Sequence, residues 1–212
     1  MIKKNIKFSI AIDGSSASGK TTGSKFIAKK FKFNLLSSGM LYRYLSYKII
    51  KNSNKYNKKF IVNQSKSITL KKLENKKLYN PKVTKLASII AKKKFIRNSL
   101  KQFQKNFIKK NKKVIIEGRD IGSVIMPSAD LKIYFKCSIK EKAKRRLKEF
   151  KKINKKITLK EVEKALKSRD FSDKNRKESP LLFVKGAVEL DTTKLTIKQM
   201  ELKLVKLVKK KL

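Results

Sequence analysis

Residues 14–21, with the sequence GSSASGKT, constrain the fold of this chain more than any other feature. They match a phosphate-binding loop, in which a glycine is followed by four residues and then by Gly-Lys-Ser/Thr. The two glycines allow a tight turn whose backbone N–H groups point at an anion. Lys20 adds a positive charge for the β- and γ-phosphates of a nucleotide, and the Thr21 hydroxyl can bind the Mg²⁺ that accompanies ATP.

The flanking residues have the pattern that such a loop requires. Residues 8–12 (FSIAI) predict a short buried strand ending at Asp13, and from Gly19 onward the apolar residues follow helical spacing. A helix that begins at the loop places its positive end at the same anion site. This order of strand, loop and helix favours a true phosphate loop over a chance Gly/Ser-rich turn.

The composition excludes several kinds of chemistry. The chain of 212 residues has no histidine and one cysteine, Cys137. This excludes His-ligated zinc, a His general base and an internal disulfide, and leaves Asp, Glu, Lys and Arg for any catalysis. We interpret Cys137 as an inert core residue. No apolar run approaches the roughly 20 residues of a membrane helix, and cleavage behind the basic residues 1–5 would destroy the loop. We therefore expect a cytoplasmic protein with neither a membrane span nor a signal peptide.

The formal net charge of +44 has two explanations. Such a charge can indicate a nucleic-acid partner. Alternatively, it reflects a compositional bias towards A/T-rich codons, since Lys, Ile and Asn are abundant in every segment and Lys forms no single patch. We favour the bias and expect no dedicated nucleic-acid partner.

The arginines offer a test of this interpretation. Only seven of the 59 basic residues are arginine. In a chain so rich in lysine, an arginine is expected where its planar fork is needed for bidentate binding of a phosphate or carboxylate. The seven are Arg43, Arg97, Arg119, Arg145, Arg146, Arg169 and Arg176.

Apolar segments and helical patterns alternate along the chain. This predicts a three-layer α/β fold with a parallel central sheet and helices on both faces. The predicted strands are 8–12, 33–36, 114–116, 131–135 and 184–190, the last with Gly186 as an irregularity. Helices are predicted from Gly19, over about 40–51, from Pro81, over about 95–110, and behind capping boxes that begin at Ser138, Thr158 and Thr196.

Three segments are less clear. Residues 52–79 are polar and predict a small, partly irregular insertion with a strand near 60–62, or else a disordered linker. Residues 168–178 are charged and are interpreted as loop-like. The last helix is expected to pack through Ile197, Met200, Leu204 and Leu207.

Polar segments follow three predicted strands: the phosphate loop, residues 37–39 (SSG) and residues 117–120 (EGRD). Ligands of parallel sheets bind at the carboxyl ends of strands, so these segments should line one cleft. Four arginines in separate segments lie beside a small polar residue or an Asp, as a second, acceptor phosphate would require. They are Arg43, Arg119, Arg169 and Arg176. The chain also lacks the Asn-Lys-x-Asp sequence with which GTPases read their base.

With these segments the chain resembles the bacterial cytidylate kinases over nearly its whole length. The resemblance is carried by residues 12–22, 35–43 (LLSSGMLYR), 117–124 (EGRDIGSV), Pro127 and 169–176 (RDFSDKNR). It implies one P-loop kinase domain over residues 1–212, with helices and an insertion that bind the nucleoside monophosphate at about 38–111 and a lid at about 150–180. It also implies transfer of the γ-phosphoryl group of ATP to CMP or dCMP with the help of Mg²⁺. We expect a monomer.

The resemblance also implies roles for individual residues. ATP would be held by Gly14, Ser15, Ser16, Ala17, Ser18, Gly19, Lys20, Thr21 and Thr22, with Arg145 or Arg146 reaching its phosphates. The acceptor phosphate would be held by Arg43, Arg119 and Arg176 beside Ser38, the cytosine by Ser88, Arg97 and Asp120, and the ribose by Arg169 and Asp173. Lys20, Arg119, Asp120 and Arg176 would act in catalysis, and Thr21 and Glu117 would hold Mg²⁺.

The chain departs from the family pattern in three places. Glu117 stands where many members have Asp, residues 169–173 lack one lid arginine, and the insertion at 52–79 is short and basic. Two alternatives stay open: an RNA-associated P-loop NTPase, which the charge favours, and a kinase of UMP, AMP or another monophosphate, because base choice depends on few hydrogen bonds.

Overall fold

The structure is a computed structural model that describes residues 7–151 and 157–212. Within these ranges the strands are β1 (Phe8–Gly14), β2 (Asn34–Ser37), β3 (Lys113–Gly118), β4 (Leu131–Lys136) and β5 (Ala187–Asp191). The α-helices are α1 (Lys20–Phe31), α2 (Ser38–Lys51), α3 (Lys58–Lys66), α4 (Leu70–Leu73), α5 (Pro81–Ile90), α6 (Lys94–Lys110), α7 (Ile139–Lys151), α8 (Leu159–Asn175) and α9 (Ile197–Lys211).

The five strands form one sheet in the order β2-β3-β1-β4-β5. The central strand β1 pairs in parallel with β3 on one side and β4 on the other, and β4 pairs in parallel with β5. Ile10 and Ala11 point to opposite faces of β1, and both are buried. Both faces of the central strand are therefore covered, as in a parallel α/β sheet. The predicted fold class is confirmed.

The chain divides into two compact units, residues 1–35 with 112–212, and residues 36–111. In the first unit, alternate residues of β1 pack with β3, β4 and the buried faces of α1 and α9. In the second unit, α2 packs against α5 and α3 packs against α6. The core of the second unit includes Leu41, Leu45, Ile61, Ile90 and Leu100, all fully buried.

Several local predictions are confirmed at single residues. Pro81 is the first residue of α5, where its missing N–H costs no hydrogen bond, and Asn80 caps this helix. Thr158 and Thr196 form complete capping boxes. The third box is only half formed, because the Ser138 N–H donates to the Thr193 hydroxyl rather than to a side chain of its own helix. Cys137 is buried, as predicted.

The predicted strand near residues 60–62 is wrong, because these residues lie in α3. Their β-branched and aromatic side chains suggested a strand. The helix forms because the Asn57 side chain caps it through the N–H of Phe60, while Ile61 and Ser65, four residues apart, face the core. Residues 52–79 are not a disordered linker either, since Ile61, Ile68, Leu73 and Leu78 are buried.

The loop predicted at residues 168–178 is also wrong for most of its length, since α8 extends to Asn175. The charged residues of this segment suggested a solvated loop. In the structure several of them form ion pairs with other elements of the same unit. A sequence pattern based on apolar residues cannot detect such a helix.

Two further boundaries differ from the prediction. The last strand begins at Ala187, because Gly186 has a positive φ of 79° and lies in a turn before it. In α9 the buried stripe is Met200, Leu204 and Val208, whereas the predicted core residue Ile197 is 64% exposed. Ile197 is the first residue of the helix, outside the four-residue spacing of that stripe.

In the part of the chain that the structure describes, no helix is both long and apolar enough to cross a membrane. The basic start at residues 1–5, for which we predict no signal peptide, lies outside the described residues. So does the stretch 152–156 of the predicted lid.

Candidate active site

The phosphate loop connects β1 to α1, and two glycines make its path possible. At Gly14 a Cβ atom would lie 2.6 Å from the carbonyl oxygen of Phe135, so only glycine allows this close approach. Gly19 precedes α1 with a φ of 90°, in the left-handed region. Because α1 begins at Lys20, its free N–H groups and the positive end of its dipole face the loop.

Lys20, the first residue of α1, is buried against this loop. Its ammonium group donates a hydrogen bond of 2.9 Å to the Ser15 carbonyl oxygen. Burial, with a smaller contribution from the positive charge of Arg119, lowers the pKa of Lys20 to about 7. A polyphosphate would supply negative charge next to this group and restore its positive form.

Thr21 and Glu117 meet beside the loop. The Thr21 hydroxyl lies 2.9 and 3.0 Å from the two carboxylate oxygens of Glu117. The parallel pairing of β1 and β3 brings them together, since Ile12 is the partner of Glu117 in the register. A hydroxyl and a carboxylate are suitable ligands for Mg²⁺. Among the described residues no group of three or more Cys, Asp or Glu could hold a metal, so the other ligands would have to come from water and substrate phosphates.

Two neighbouring arginines of α7 contact the loop region differently. Arg146 donates a hydrogen bond of 2.9 Å to the Ser16 hydroxyl of the loop. Arg145 instead donates to the hydroxyl and the carbonyl oxygen of Thr192, at 3.1 and 2.7 Å. The Thr192 hydroxyl in turn donates to the Ser18 carbonyl oxygen at 2.9 Å. The structure thus places Arg146 directly on the loop and Arg145 one residue away from it.

A second set of charges joins the segment after β3 to the end of α8, and we call Arg119, Asp120, Asp173 and Arg176 the arginine cluster. The Nε of Arg119 lies 2.8 Å from Asp173, and the guanidinium of Arg176 lies 3.6 Å from Asp173 and 4.0 Å from Asp120. Burial alone would raise the pKa of Asp173, but the positive charges of Arg119, Arg169 and Arg176 hold it below its usual value. The cluster therefore keeps two forked cations and two carboxylates in a largely buried place.

Asp13 holds the backbone of the loop that contains Arg119 and Asp120. Its two carboxylate oxygens accept hydrogen bonds from the N–H groups of Ile121 and Gly122, at 2.8 and 2.7 Å. Burial raises the pKa of Asp13 to about 6, although these two donors favour the carboxylate. Asp13 thereby links the end of β1 to the segment after β3.

The second unit carries the other predicted acceptor residues. Arg43 donates to the Leu78 carbonyl oxygen at 3.0 Å and lies over the ring of Tyr79. Arg97 is buried in α6, where it donates to the Ala91 carbonyl oxygen at 3.0 Å and lies over the ring of Tyr42.

The two predicted serines of this unit differ. Ser38 is buried at the start of α2. The Ser88 hydroxyl donates to the carbonyl oxygen of Lys85 in its own helix, at 2.7 Å, which is an ordinary contact of a helical serine.

The sequence profile of the cytidylate kinase family matches residues 10–210 of the chain.

The chain belongs to the cytidylate kinase family.

Curated members of this family are similar over nearly the full length. The cytidylate kinase of Fusobacterium nucleatum is 40% identical over 204 residues, which cover 89% of this chain and 91% of that protein. Those of Thermotoga maritima and Mycoplasmoides gallisepticum are each 35% identical, covering 97% and 96% of this chain and 98% and 94% of theirs. Membership of the family makes the chain a kinase, and ATP its phosphate donor.

Two solved structures share the fold at low identity. An uncharacterized protein from Eubacterium ventriosum has a TM-score of 0.54 at 13% identity, covering 96% of this chain and 99% of its own. TT1252 from Thermus thermophilus has a TM-score of 0.52 at 13% identity, covering 97% of this chain and 98% of its own.

In this cytidylate kinase fold, sequence reasoning missed four residues beside the predicted site: Asp13, Lys142, Asp170 and Thr192. Asp13 and Asp170 lie in segments that carry the family resemblance, but the sequence assigns neither of them a role at the site. Lys142 is one of many lysines, and nothing in its neighbourhood distinguishes it from the exposed ones. Only the packing of α7 and β5 beside the phosphate loop reveals Lys142 and Thr192.

Proposed function

We infer that the enzyme transfers the γ-phosphoryl group of ATP to CMP or dCMP, giving CDP or dCDP and ADP. One observation carries this proposal: the end of β3 takes part in both halves of the site. Glu117 bonds Thr21 at the phosphate loop, and two residues later Arg119 pairs with Asp173 in the arginine cluster. A single strand end therefore joins a donor site to a second site for an anion.

The donor site consists of the loop and its neighbours. We propose that residues 14–22 hold the phosphates of ATP through backbone N–H groups, with Lys20 near the β- and γ-phosphates. Arg146 already contacts the loop at Ser16, and Arg145 would need to release Thr192 to reach a phosphate.

Thr21 and Glu117 are the residues that would hold Mg²⁺. The ion supplies neutralisation of the phosphate charge that develops during transfer. Glu117 fits this role because its carboxylate is buried within hydrogen-bonding distance of the Thr21 hydroxyl.

On the acceptor side, we propose that Arg119 and Arg176 bind the acceptor phosphate together with Arg43, beside Ser38. Arg169 and Asp173 would bind the ribose, and Arg97, Asp120 and Ser88 the edge of the cytosine. The guanidinium forks supply several donors to one dianion, which suits a phosphate better than single ammonium groups do. The ion pairs with Asp173 and Asp120 hold these forks near one another until the phosphate binds.

The reaction requires alignment, charge neutralisation and exclusion of water rather than a covalent intermediate. Lys20, Arg119 and Arg176 stabilise the charge on the migrating group, and Asp120 orients Arg176. We propose that a lid at about 150–180 closes over the bound ATP, because an accessible γ-phosphate would be lost to hydrolysis.

The decisive experiment is an ADP-release assay with CMP, dCMP, UMP, AMP and no acceptor, each with ATP and Mg²⁺. We expect rapid ADP formation with CMP or dCMP, slower formation with the others, and almost none without an acceptor. Equal rates with and without an acceptor would contradict the proposal and indicate an NTPase.

The alternative, an RNA-associated NTPase, is supported only by the net charge, and membership of the cytidylate kinase family does not favour it. The monomeric state, the cytoplasmic location and the lack of a dedicated nucleic-acid partner stay predictions. Filter binding of RNA over a range of salt concentrations would test the last of these.

A further inference from the structure

Lys142, on α7, is a buried lysine to which the proposed function assigns no role. It is only 4% exposed. Its ammonium group donates a hydrogen bond of 3.1 Å to the Ser15 hydroxyl of the phosphate loop and forms an ion pair with Asp170 of α8. One side chain thus connects the donor loop to the helix that carries Arg169 and Asp173.

Such a pair is unusual in a chain with so many exposed lysines. The side chains of Lys142 and Asp170 are 6% and 14% exposed, and burying both charges costs free energy that a surface pair does not lose. On the same helix, Lys167 and Glu163 form an exposed pair at 2.8 Å, with side chains 63% and 26% exposed. The two pairs have the same chemistry but different surroundings, and only the buried one contacts the site.

Two buried ammonium groups converge on Ser15. Lys20 donates to its carbonyl oxygen and Lys142 donates to its hydroxyl. Positive charge on both ammonium groups at once is disfavoured by their repulsion, and a nearby anion offsets this cost. Asp170 provides one negative charge, and the phosphates of ATP would provide the others.

The position of Asp170 in α8 also connects the Lys142–Asp170 pair to the residues that we assign to the acceptor. Asp170 directly follows Arg169 and precedes Asp173 by three residues, so Asp170 and Asp173 lie within one turn of the helix and Arg169 adjoins it. Asp173 pairs with Arg119, which we assign to the acceptor phosphate. A shift of this helical turn when the acceptor binds would therefore move Asp170, and with it the Lys142 ammonium at Ser15.

We propose that Lys142 and Asp170 are positioning residues that couple the donor and acceptor sites, so that each substrate binds more tightly when the other is present. This inference rests on the proposed function. Coupling requires that binding of one substrate changes the contacts available to the other, and it is reciprocal between the two. Lys142 and Asp170 supply a continuous charged contact between Ser15 and α8 that can change in this way.

The test measures binding rather than turnover. The dissociation constant of a non-hydrolysable ATP analogue is determined with Mg²⁺, without CMP and with saturating CMP, and the ratio of the two is the coupling factor. The variants are Asp170→Asn, Lys142→Met and the double variant, and Lys142→Arg tests rescue by a conserved charge. Glu163→Gln, which removes the exposed pair on the same helix, is the matched control.

We expect a coupling factor of at least about fivefold in the unaltered enzyme, within the usual range of allosteric coupling. It should fall below about twofold in Asp170→Asn and in Lys142→Met, with no further fall in the double variant. Glu163→Gln should keep the full coupling, and Lys142→Arg should keep most of it.

Several results would overturn the proposal. If Asp170→Asn and Lys142→Met lower only the melting temperature and leave the coupling factor unchanged, the pair merely holds α7 to α8. Absence of coupling in the unaltered enzyme would be equally decisive. Failure of the proposed function has a different signature, because the unaltered enzyme would then form no CDP or dCDP in the acceptor assay.

Discussion

The phosphate loop and the arginine cluster both hold buried cations, but they hold them by different means. In the loop, Lys20 is bound by the carbonyl oxygen of Ser15, five residues away in its own turn. In the cluster, Arg119 is bound by Asp173, 54 residues away on another element. A carbonyl is a neutral partner that a substrate phosphate can replace without breaking an ion pair, whereas Asp173 and Asp120 must share or release their arginines. With the roles proposed above, the phosphates of ATP would displace a neutral partner of Lys20, whereas the acceptor phosphate would compete with carboxylates for Arg119 and Arg176.

Arg119→Ala should have the largest effect, because it removes a forked cation from the acceptor phosphate. We expect kcat/KM for CMP to fall by about a thousandfold or more, about 4 kcal/mol of transition-state stabilisation, while the affinity for the ATP analogue changes little. Steady-state kinetics and a binding titration measure the two quantities. Arg119→Lys, which keeps the charge but not the fork, should recover only part of the loss. Unchanged turnover in Arg119→Ala would refute its role.

Lys20→Ala tests the other half of the comparison. Removal of the ammonium group should mainly affect the use of ATP, and we expect kcat/KM for ATP to be lowered by about a hundred- to a thousandfold. The binding of CMP alone, measured by calorimetry, should be nearly unchanged. If Lys20→Ala weakened the binding of CMP as much as that of ATP, the two sites would not be separable in the way that the contacts indicate.

Asp13 gives a prediction about pH, because it holds the loop of the arginine cluster through the N–H groups of Ile121 and Gly122. Its pKa is about 6 in the folded protein against an ordinary value of 3.8, so the folded state holds the proton more tightly than the unfolded state does. Between pH 4 and pH 6 the unfolded chain loses this proton first, and the free energy of unfolding falls as the pH rises. Over pH 4 to 7 the contribution of Asp13 should decrease by about 2 kcal/mol.

Two charged neighbours of Asp13 also affect its pKa. Asp120 raises its pKa and Arg119 lowers it, in addition to the effect of burial. Asp13→Asn cannot titrate, so the difference between the urea unfolding curves of the two proteins isolates this contribution. A difference that stays constant from pH 4 to pH 7 would show that Asp13 titrates normally in the fold.

The smallest effect is expected at Gly23, which holds α1 and hence the phosphate loop close to the sheet. A Cβ atom there would lie 2.8 Å from the Leu204 side chain and 2.9 Å from that of Phe135. Gly23→Ala should therefore destabilise the protein by about 1–3 kcal/mol through overpacking. Gly39→Ala is the control, since no atom lies within 4 Å of its Cβ position and Ala is the better helix former. Thermal or urea unfolding measures both, and equal stability of the two variants would contradict the close packing of α1.

A part of the structure could be predicted from the sequence when the interactions that form it join residues close together in the chain. The sequence predicts those features that depend on neighbours within about four residues. They are the strand before residues 14–21, the start of α1, the first turn of α5 and the two complete capping boxes. The strand at 60–62 and the loop at 168–178 were predicted wrongly. In both, the helix depends on which side chains the rest of the fold buries or pairs, and the local composition does not contain that information.

The sequence by itself determined the glycine loop, the helix caps and the alternation of strands and helices, because these follow from backbone sterics and short-range spacing. It also identified the arginines as candidates for phosphate binding, since all the other basic residues are lysine. Only the tertiary structure decided which charges are buried and which partner each one has. Lys142 is chemically the same as Lys167, and only the packing of α7 between the phosphate loop and α8 brings Lys142 into contact with Ser15 and Asp170.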